Sequence, residues 1–577
     1  MATSANRPGL NRRDFLKNTA LLSGGAVLLP AMLTGCDDDN DPVRYEGDFG
    51  FREGVASFDP TQNSVLLWTR YTPATNETGD APLRWELAEE AGFGSIKASG
   101  TLTATPATDY TAWVDATGLA PYKNYYYRFR NERTGATSVV GETRTLPANG
   151  QISSVKLAVV SCANYQAGLF NVYGAVAESG ADAVVHLGDY IYEYGAGGYG
   201  TNADTAALNR AHQPAGEILT LSDYRTRYRQ YRSDPQLQRL HQRKAFICVW
   251  DDHELANDAY LDGAENHQPN EGSFEARKQA AIQVWHEYLP ARVADKTRIY
   301  RRFEFGNLVN LLMLDTRLVG RQKQLSLGDY FSGPGVFNAA AFGAAWLNPG
   351  RSILGSEQRA WLTNQLSSNP ARWQVLGSQV LLGKMYIPAE LLVLVAQLAA
   401  GPTPALLAQY STVAGQLATI KGRLLAADPT LTPAERARVE TVLPYNLDAW
   451  DGYPAERETV LAAAPRANLI SLAGDTHNAW YSDLTTSTGR KVGAEFATSS
   501  VSSPGFEALL AGNAAAIQGF EQSNQLLIND LHYLDASRRG YLEVEFTASA
   551  ANAQWKYVAS LSTASTATTI GKTATEA

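Results

Sequence analysis

Eight side chains in this sequence can bind a cation or handle a proton and stand where a fold could gather them: Cys162, Asp189, Tyr192, Asp252, His253, Asn257, Asp475 and His477. Each comes directly after a short apolar run or within a turn of one. Cys162 follows Val155-Lys156-Leu157-Ala158-Val159-Val160-Ser161, and Asp189 and Tyr192 follow Ala183-Val184-Val185-His186-Leu187. Asp252 and His253 lie in Trp250-Asp251-Asp252-His253-Glu254, with Asn257 a turn later. Asp475 and His477 lie in Gly474-Asp475-Thr476-His477-Asn478, and a further run leads to Gly377-Ser378-Gln379. If Asp189, Asp252 and Asp475 converge with no cation between them, each pair about 4 Å apart costs about 4 kcal/mol at an effective dielectric near 20. Either the carboxylates protonate or cations bind. Oxygen and nitrogen donors suit hard or borderline metals, and a thiolate with a phenolate suits an oxidised transition metal such as ferric iron. A bound cation would also deprotonate Cys162 and Tyr192.

These residues need a scaffold that ends several strands at one place. The apolar runs 155–161, 183–187, 245–250, 309–314, 373–376 and 468–473 read as buried strands. The stretch 168–179 between the first two reads as a helix, which makes a βαβ unit. Ligands collect at the carboxyl ends of such strands. The expected fold is therefore α/β, a β-sheet core flanked by helices over residues 152–548. Before it, over 49–147, period-two runs such as Ser64–Arg70, Leu83–Leu87, Thr111–Asp115 and Asn124–Phe129 predict a small all-β sandwich. The Ala- and Leu-rich stretch 381–442 reads as a helical insertion whose apolar faces pack on the body, line the site mouth or meet a partner, with packing ranked first. The Ala/Thr/Ser-rich tail, 560–577, reads as disordered.

The net charge of −9 excludes a large basic surface for nucleic acid. Asn11-Arg12-Arg13-Asp14-Phe15-Leu16-Lys17 and the mildly apolar stretch after it have the layout of a twin-arginine signal, over residues 1–36. Leu33-Thr34-Gly35-Cys36 resembles a lipoprotein cleavage box, so Cys36 is a candidate lipid anchor, with an acidic linker at 37–48. Export by the twin-arginine machinery to a periplasmic or cell-surface location is the expectation. Cys162 and Cys248 then remain, either as one disulfide or as free thiols.

The motifs in this order resemble the PhoD-type alkaline phosphatases, a branch of the calcineurin-like metallophosphoesterases. Ser161-Cys162, His186-Leu187-Gly188-Asp189-Tyr190-Ile191-Tyr192-Glu193 and Trp250-Asp251-Asp252-His253-Glu254 carry the resemblance. Leu314-Asp315-Thr316-Arg317, Trp450-Asp451-Gly452-Tyr453-Pro454, Gly474-Asp475-Thr476-His477 and Ser502-Ser503-Pro504-Gly505 extend it. Gly118 to Phe129 looks like the corner and following strand of a fibronectin type III module.

The resemblance implies a metallophosphoesterase core and a site holding iron, Fe(3+), and calcium, Ca(2+). Cys162, Asp189 and Tyr192 match the iron-holding positions. Asp252, Asp475 and His477 match the other metal positions, and Asp189 is the natural bridge. His253 and Asn257 would face the phosphoryl group. Gln379 would touch either metal or phosphate, and one of Asp251 and Asp252 would bind metal while the other caps or hydrogen-bonds. Asp315 reads as support for Arg317, and His186 as core. The implied activity is hydrolysis of phosphate monoesters, diesters or both by metal-activated water. The rivals are a phosphodiesterase or phospholipase D-like enzyme, and a catalytically inactive surface-tethered binding lipoprotein.

Overall fold

The computed structural model describes residues 49–333 and 336–577. The expected signal segment, Cys36 and the acidic linker lie outside the described residues. The strands before residue 147 are β1 (Val55–Phe58), β2 (Ser64–Arg70), β3 (Ala81–Ala88), β4 (Ile96–Ala104), β5 (Thr111–Thr117), β6 (Asn124–Asn131) and β7 (Gly141–Arg144). β8 (Ser154–Val160), β9 (Ala183–His186), β10 (Ala245–Cys248), β11 (Arg301–Phe305), β12 (Val309–Met313), β13 (Phe331–Gly333), β14 (Val336–Phe337) and β15 (Trp373–Gly377) follow. The remaining strands are β16 (Tyr386–Pro388), β17 (Val442–Pro444), β18 (Leu469–Ala473), β19 (Ala479–Thr485), β20 (Lys491–Ala497), β21 (Leu531–Asp535), β22 (Gly540–Thr547), β23 (Ala551–Val558) and β24 (Thr568–Glu576).

The fold is mixed α/β, but its core is two sheets rather than one. One has nine strands in the order β24-β23-β22-β8-β9-β10-β1-β2-β5, the other seven in the order β11-β12-β15-β18-β20-β19-β21. β8, β9 and β10 run parallel, as do β12, β15, β18 and β20, so each sheet gathers strand ends at one edge. Alternation along the seven-stranded sheet sets its two faces. Val309, Leu311 and Met313 of β12 join Val159, Val185 and Leu542 of the other sheet in one core. Leu312 and Leu314 turn the other way, onto Leu362 and Leu366 of the helix Gly355–Ser368.

Buried indoles lock the two layers together. Trp373 Nε1 on β15 donates to Thr547 O at 2.7 Å, and Trp555 Nε1 on β23 donates to Ala497 O at 2.8 Å. Each such bond adds about 1 kcal/mol net, and losing the acceptor would leave a buried N–H at a cost of about 1–3 kcal/mol.

The N-terminal strands do form two packed layers, β4-β3-β6-β7 against β1, β2 and β5. The second layer is not separate, however: β1 pairs in parallel with β10, with Ser57 opposite Ala245 and Phe58 opposite Phe246. The joint is reinforced by Arg301, whose guanidinium makes two 2.7 Å bonds to Asp59.

The insertion is helical, as expected, with helices at Ala389–Ala400, Pro404–Leu425 and Pro433–Glu440. The β16–β17 pair closes its base, with Ile387 opposite Leu443. The second helix starts on Thr403, whose side chain accepts from Leu406 N, with Pro404 as its first residue. It buries Tyr410, Ala414 and Leu417 along one stripe, and Tyr410 meets Phe520 with ring centroids 6.1 Å apart.

The tail contradicts the expectation of disorder. Thr568–Glu576 is β24, antiparallel to β23, and covers an edge of the nine-stranded sheet. Its Thr-rich composition has few apolar residues, but neighbouring backbone supplies the ladder that composition alone does not reveal. The α/β unit accordingly runs past residue 548.

Candidate metal centre

The strand ends that meet at the two sheet edges are held in an uncommon backbone conformation. Cys162 (φ 61°), Asp189 (φ 56°), Asp475 (φ 62°) and His477 (φ 64°) all adopt left-handed geometry. For residues with a side chain this costs about 1–3 kcal/mol each and persists only where the surroundings enforce it. The glycine before each aspartate lets the strand ends approach. A Cβ on Gly188 would lie 2.4 Å from Asp251 Cβ, and one on Gly474 would lie 2.7 Å from Ser161 Oγ. The Gly-Asp pairs thus serve close approach first and chemistry second.

The structure brings the predicted residues together in three overlapping groups whose ligand atoms lie within 4.8 Å of one another: Cys162, Asp189 and His477; Asp189, Asp252 and His253; and Asp251, Asp252 and Asp475. Asp189 belongs to the first two groups, as a bridging carboxylate must. Tyr192 joins the first group, donating to Asp189 Oδ2 at 2.9 Å with its oxygen 3.1 Å from His477 Nε2. His477 therefore stands with the thiol and phenol rather than with Asp252 and Asp475. Cys162 and Cys248 are both free and buried, so the disulfide alternative is excluded.

Gln379 is not placed as a ligand. Its Oε1 accepts from Thr316 Oγ1 at 2.9 Å, and its Nε2 donates to Trp250 O and Leu314 O at 2.8 and 2.7 Å. An amide that ties three chain segments has both its ends engaged, so it joins the two sheet edges instead. Asp252 Oδ2 accepts from Asp258 N at 2.6 Å while Asp251 Oδ1 accepts from Arg317 Nε, so both carboxylates of that pair hydrogen-bond. His186 is core, with Nε2 2.8 Å from Tyr173 Oη. Asp315 does support Arg317, accepting from its backbone N at 2.9 Å.

Residues without a predicted role hold the site in shape. Glu254 accepts from Asp189 N (2.9 Å), Tyr190 N (2.5 Å) and Asp251 N (2.7 Å), stapling the loops after β9 and β10. Glu193 accepts from His253 Nδ1 (2.7 Å), Asn257 N (2.8 Å) and Asn266 Nδ2 (2.7 Å). Arg317 is fully buried, and its guanidinium reaches Asp251, Asp448 at 2.9 Å, Asp475 at 3.1 Å and Asp252 at 3.5 Å. The signal for all three was in the motifs, since Glu254, Glu193 and Arg317 each end one. Sequence gives their position but not which backbone groups or charges they face.

Burial pushes the Cys162 thiol well above its usual range, and Asp189 pushes it further. Tyr192 is raised by the same two causes in the same order. Burial lowers His253, but the carboxylates of Asp189, Glu193 and Asp252 outweigh it and raise the imidazole well above its ordinary value. Asp189 is lowered: burial opposes ionisation, but His253 and the His477 hydrogen bond overcome it.

The donor set suits cations. Buried Asp189 Oδ1 and Asp251 Oδ2 have no hydrogen-bond partner among the described residues, and buried acceptors without donors are costly. A thiol, a phenol, an imidazole and a shared carboxylate fit a transition metal in the first group. The third group already faces the guanidinium of Arg317.

Comparison with known proteins places this site in a family. A family model described as PhoD-like phosphatase matches residues 157–555, and one described as PhoD-like phosphatase, N-terminal domain, matches residues 38–147. Alkaline phosphatase D of Bacillus subtilis (strain 168) is 33% identical over 514 residues, spanning 86% of this chain and 76% of that protein. A solved structure of PhoD matches with a TM-score of 0.70 and 29% identity, covering 93% of this chain and 91% of that one. With both family models matched in order along one fold, the chain belongs to the PhoD-like phosphatase family.

Proposed function

We propose that this phosphoric ester hydrolase acts on phosphate monoesters, diesters or both at the composite edge where Cys162, Asp189, Tyr192, Asp252, Asp475 and His477 meet. One observation carries the reading: Asp189 and Asp252 are shared between overlapping donor groups, beside a buried, carboxylate-stabilised His253. Cys162, Tyr192, His477 and Asp189 would hold one cation, for which iron suits the donors. Asp189 and Asp252 would hold a harder one such as calcium. Such cations supply positive charge to the ester and activate water for attack on phosphorus.

The chain's own residues do the rest. Glu193 holds His253 by Nδ1, which leaves Nε2 as the nitrogen to meet the ester. Held by its hydrogen bond to Glu193, the His253 imidazolium can donate its proton to the leaving oxygen and recover it from water. Asn257, whose backbone N donates to the same Glu193 and whose Nδ2 donates to Glu265 Oε2 at 3.2 Å, would face the phosphoryl group. Export by the twin-arginine route, with or without a lipid on Cys36, is the accompanying proposal, and it fits a centre loaded before the folded chain crosses a membrane.

The test pairs elemental analysis of the purified chain with hydrolysis of p-nitrophenyl phosphate and its bis ester. Bound metal with release of p-nitrophenol from either ester is the expected result. A well-folded chain that holds metal but cleaves neither ester would favour the binding-lipoprotein reading and sink this one.

A further inference from the structure

Most residues around the first donor group are sealed from solvent. Cys162, Asp189, Tyr192, His253 and His477 are all buried, whereas Tyr199 is half-buried. Tyr199 sits on the glycine-rich loop Gly195-Ala196-Gly197-Gly198-Tyr199-Gly200 that follows β9. Its ring stacks on His477, with centroids 5.9 Å apart and planes at 18°. Its hydroxyl lies 2.8 Å from His477 Nδ1 and donates to Pro504 O at 2.7 Å, while Nδ1 itself lies 2.6 Å from the same carbonyl.

Only one proton arrangement satisfies this triangle. A carbonyl oxygen can only accept, so Nδ1 carries the proton and shares it between Pro504 O and the phenol oxygen of Tyr199, which donates its own proton to the second lone pair of that carbonyl. In the neutral imidazole Nε2 is then the nitrogen with a lone pair, and it faces Tyr192 Oη at 3.1 Å and Asp189 Oδ2 at 3.9 Å. A metal-binding imidazole has this tautomer, fixed by a partner on its far nitrogen.

The loop that carries Tyr199 is pinned to the segment that carries Cys162. Asn164 Nδ2 donates to Tyr199 O at 3.0 Å, and Gln166 Nε2 donates to Gly195 O at 3.2 Å. Gly200 adopts φ 90°, and a Cβ there would meet the Asn164 amide at 2.4 Å, so the chain beside Tyr199 is pressed onto that segment. Ser502 Oγ in turn donates to Asn164 O at 2.8 Å, two residues before Pro504. Strand ends from both sheets therefore determine where this phenol lies.

We propose that Tyr199 is a positioning residue for His477 and the solvent-side wall of the metal centre, holding the imidazole so that Nε2 points at the Cys162, Asp189 and Tyr192 donors. The inference rests on the metal-centre reading above.

The test uses the full chain and two variants. Y199F keeps the ring and loses the hydroxyl, and Y199L loses both. Each protein is stripped of metal, reloaded with Co²⁺ alone and titrated with a chelator, with bound Co²⁺ read by elemental analysis and by its visible spectrum. Y199F is expected to bind Co²⁺ about 10- to 100-fold more weakly, the usual cost of losing an outer hydrogen bond to a ligand. Y199L is expected to lose at least as much, and the visible bands, which report imidazole and thiolate donors, should change in both. Equal affinity and identical spectra in wild type and Y199F would overturn the assignment, whatever the folding of Y199L. A wild-type chain that takes up no Co²⁺ would overturn the metal-centre reading and this inference with it, which separates the two failures.

Discussion

At the edge of the nine-stranded sheet, Cys162, Asp189, Tyr192 and Asp252 bring together groups that are neutral or anionic, and His253 is the basic side chain among them. At the edge of the seven-stranded sheet, Arg317 brings a fully buried guanidinium that reaches Asp251, Asp252, Asp448 and Asp475. Both edges crowd carboxylates into a dry site, and a dry site makes each unpaired charge expensive. The second edge meets that demand with a side chain of its own. Among the described residues each edge keeps a buried carboxylate oxygen without a hydrogen-bond partner, Asp189 Oδ1 at the first and Asp251 Oδ2 at the second, but at the first no guanidinium pairs with Asp189 and the Cys162 thiol is too poor an acid to ionise unaided. An internal cation makes a permanent joint, and an external one makes a site that must be filled before it works.

That contrast can be broken or sharpened by substitution. The largest effect is expected for D189N, which removes the shared carboxylate of two donor groups: bound metal and ester turnover should fall together to background. Full metal content by elemental analysis in that variant would remove Asp189 from its bridging place. R317M should act on folding instead. Removing one partner of a buried charge network destabilises by about 3–5 kcal/mol because the remaining carboxylates lose their compensation. A large fall in the thermal midpoint is therefore expected, whereas an unchanged midpoint would show that Arg317 is not the internal cation argued above.

E193Q keeps the shape of the Glu193 side chain but weakens its hold on His253 and Asn257. A loss of about 10- to 100-fold in turnover with metal content preserved is expected, and a loss of metal instead would move Glu193 out of the His253 support.

Asp451, outside the donor groups, gives a pH prediction. Burial raises its carboxyl to about 7. Its folded pKa thus exceeds the unfolded value near 4, so the folded state holds the proton more tightly. Its contribution to stability is fully present below the unfolded value and is lost as pH rises through about 7. D451N should flatten the decline in denaturation midpoint between about pH 4 and 7, the interval between the unfolded and folded values, and a decline as steep as wild type counts against this. The smallest effect is expected for C248A. Cys248 is buried and free on β10, outside every donor group, so metal content should not change and stability should fall by only about 1 kcal/mol, as for other small buried truncations.

Much of the scaffold was readable because its signals are local. Ser64–Arg70 was predicted and observed with the same bounds, since apolar β-branched and aromatic residues flanked by turn formers leave little choice. The helical insertion was legible from its Ala- and Leu-rich runs and the Pro-marked breaks between them. The strand ends carrying Cys162, Asp189, Asp252 and Asp475 were legible because buried parallel strands read as continuous apolar runs. What failed was whatever depends on pairing. The division into two sheets, the continuation of β1 onto β10 and the ordering of β24 all follow from which backbone meets which, and one chain's composition does not encode that. The role of Gln379 was not legible for a similar reason: its position after β15 was, but not the three neighbours that absorb its amide.

The sequence by itself determined the inventory: which donors exist, that each sits at a strand end, and that the glycines before Asp189 and Asp475 leave room for close approach. Only the tertiary structure decided the grouping, with His477 beside the thiol and phenol, Arg317 among the carboxylates, and Glu193, Glu254 and Tyr199 holding the donors in place. The physical reason is distance. Electrostatic and hydrogen-bond energies depend on separations of a few ångströms, and strands far apart along the chain acquire such separations only when two sheets pack and fix their edges against each other.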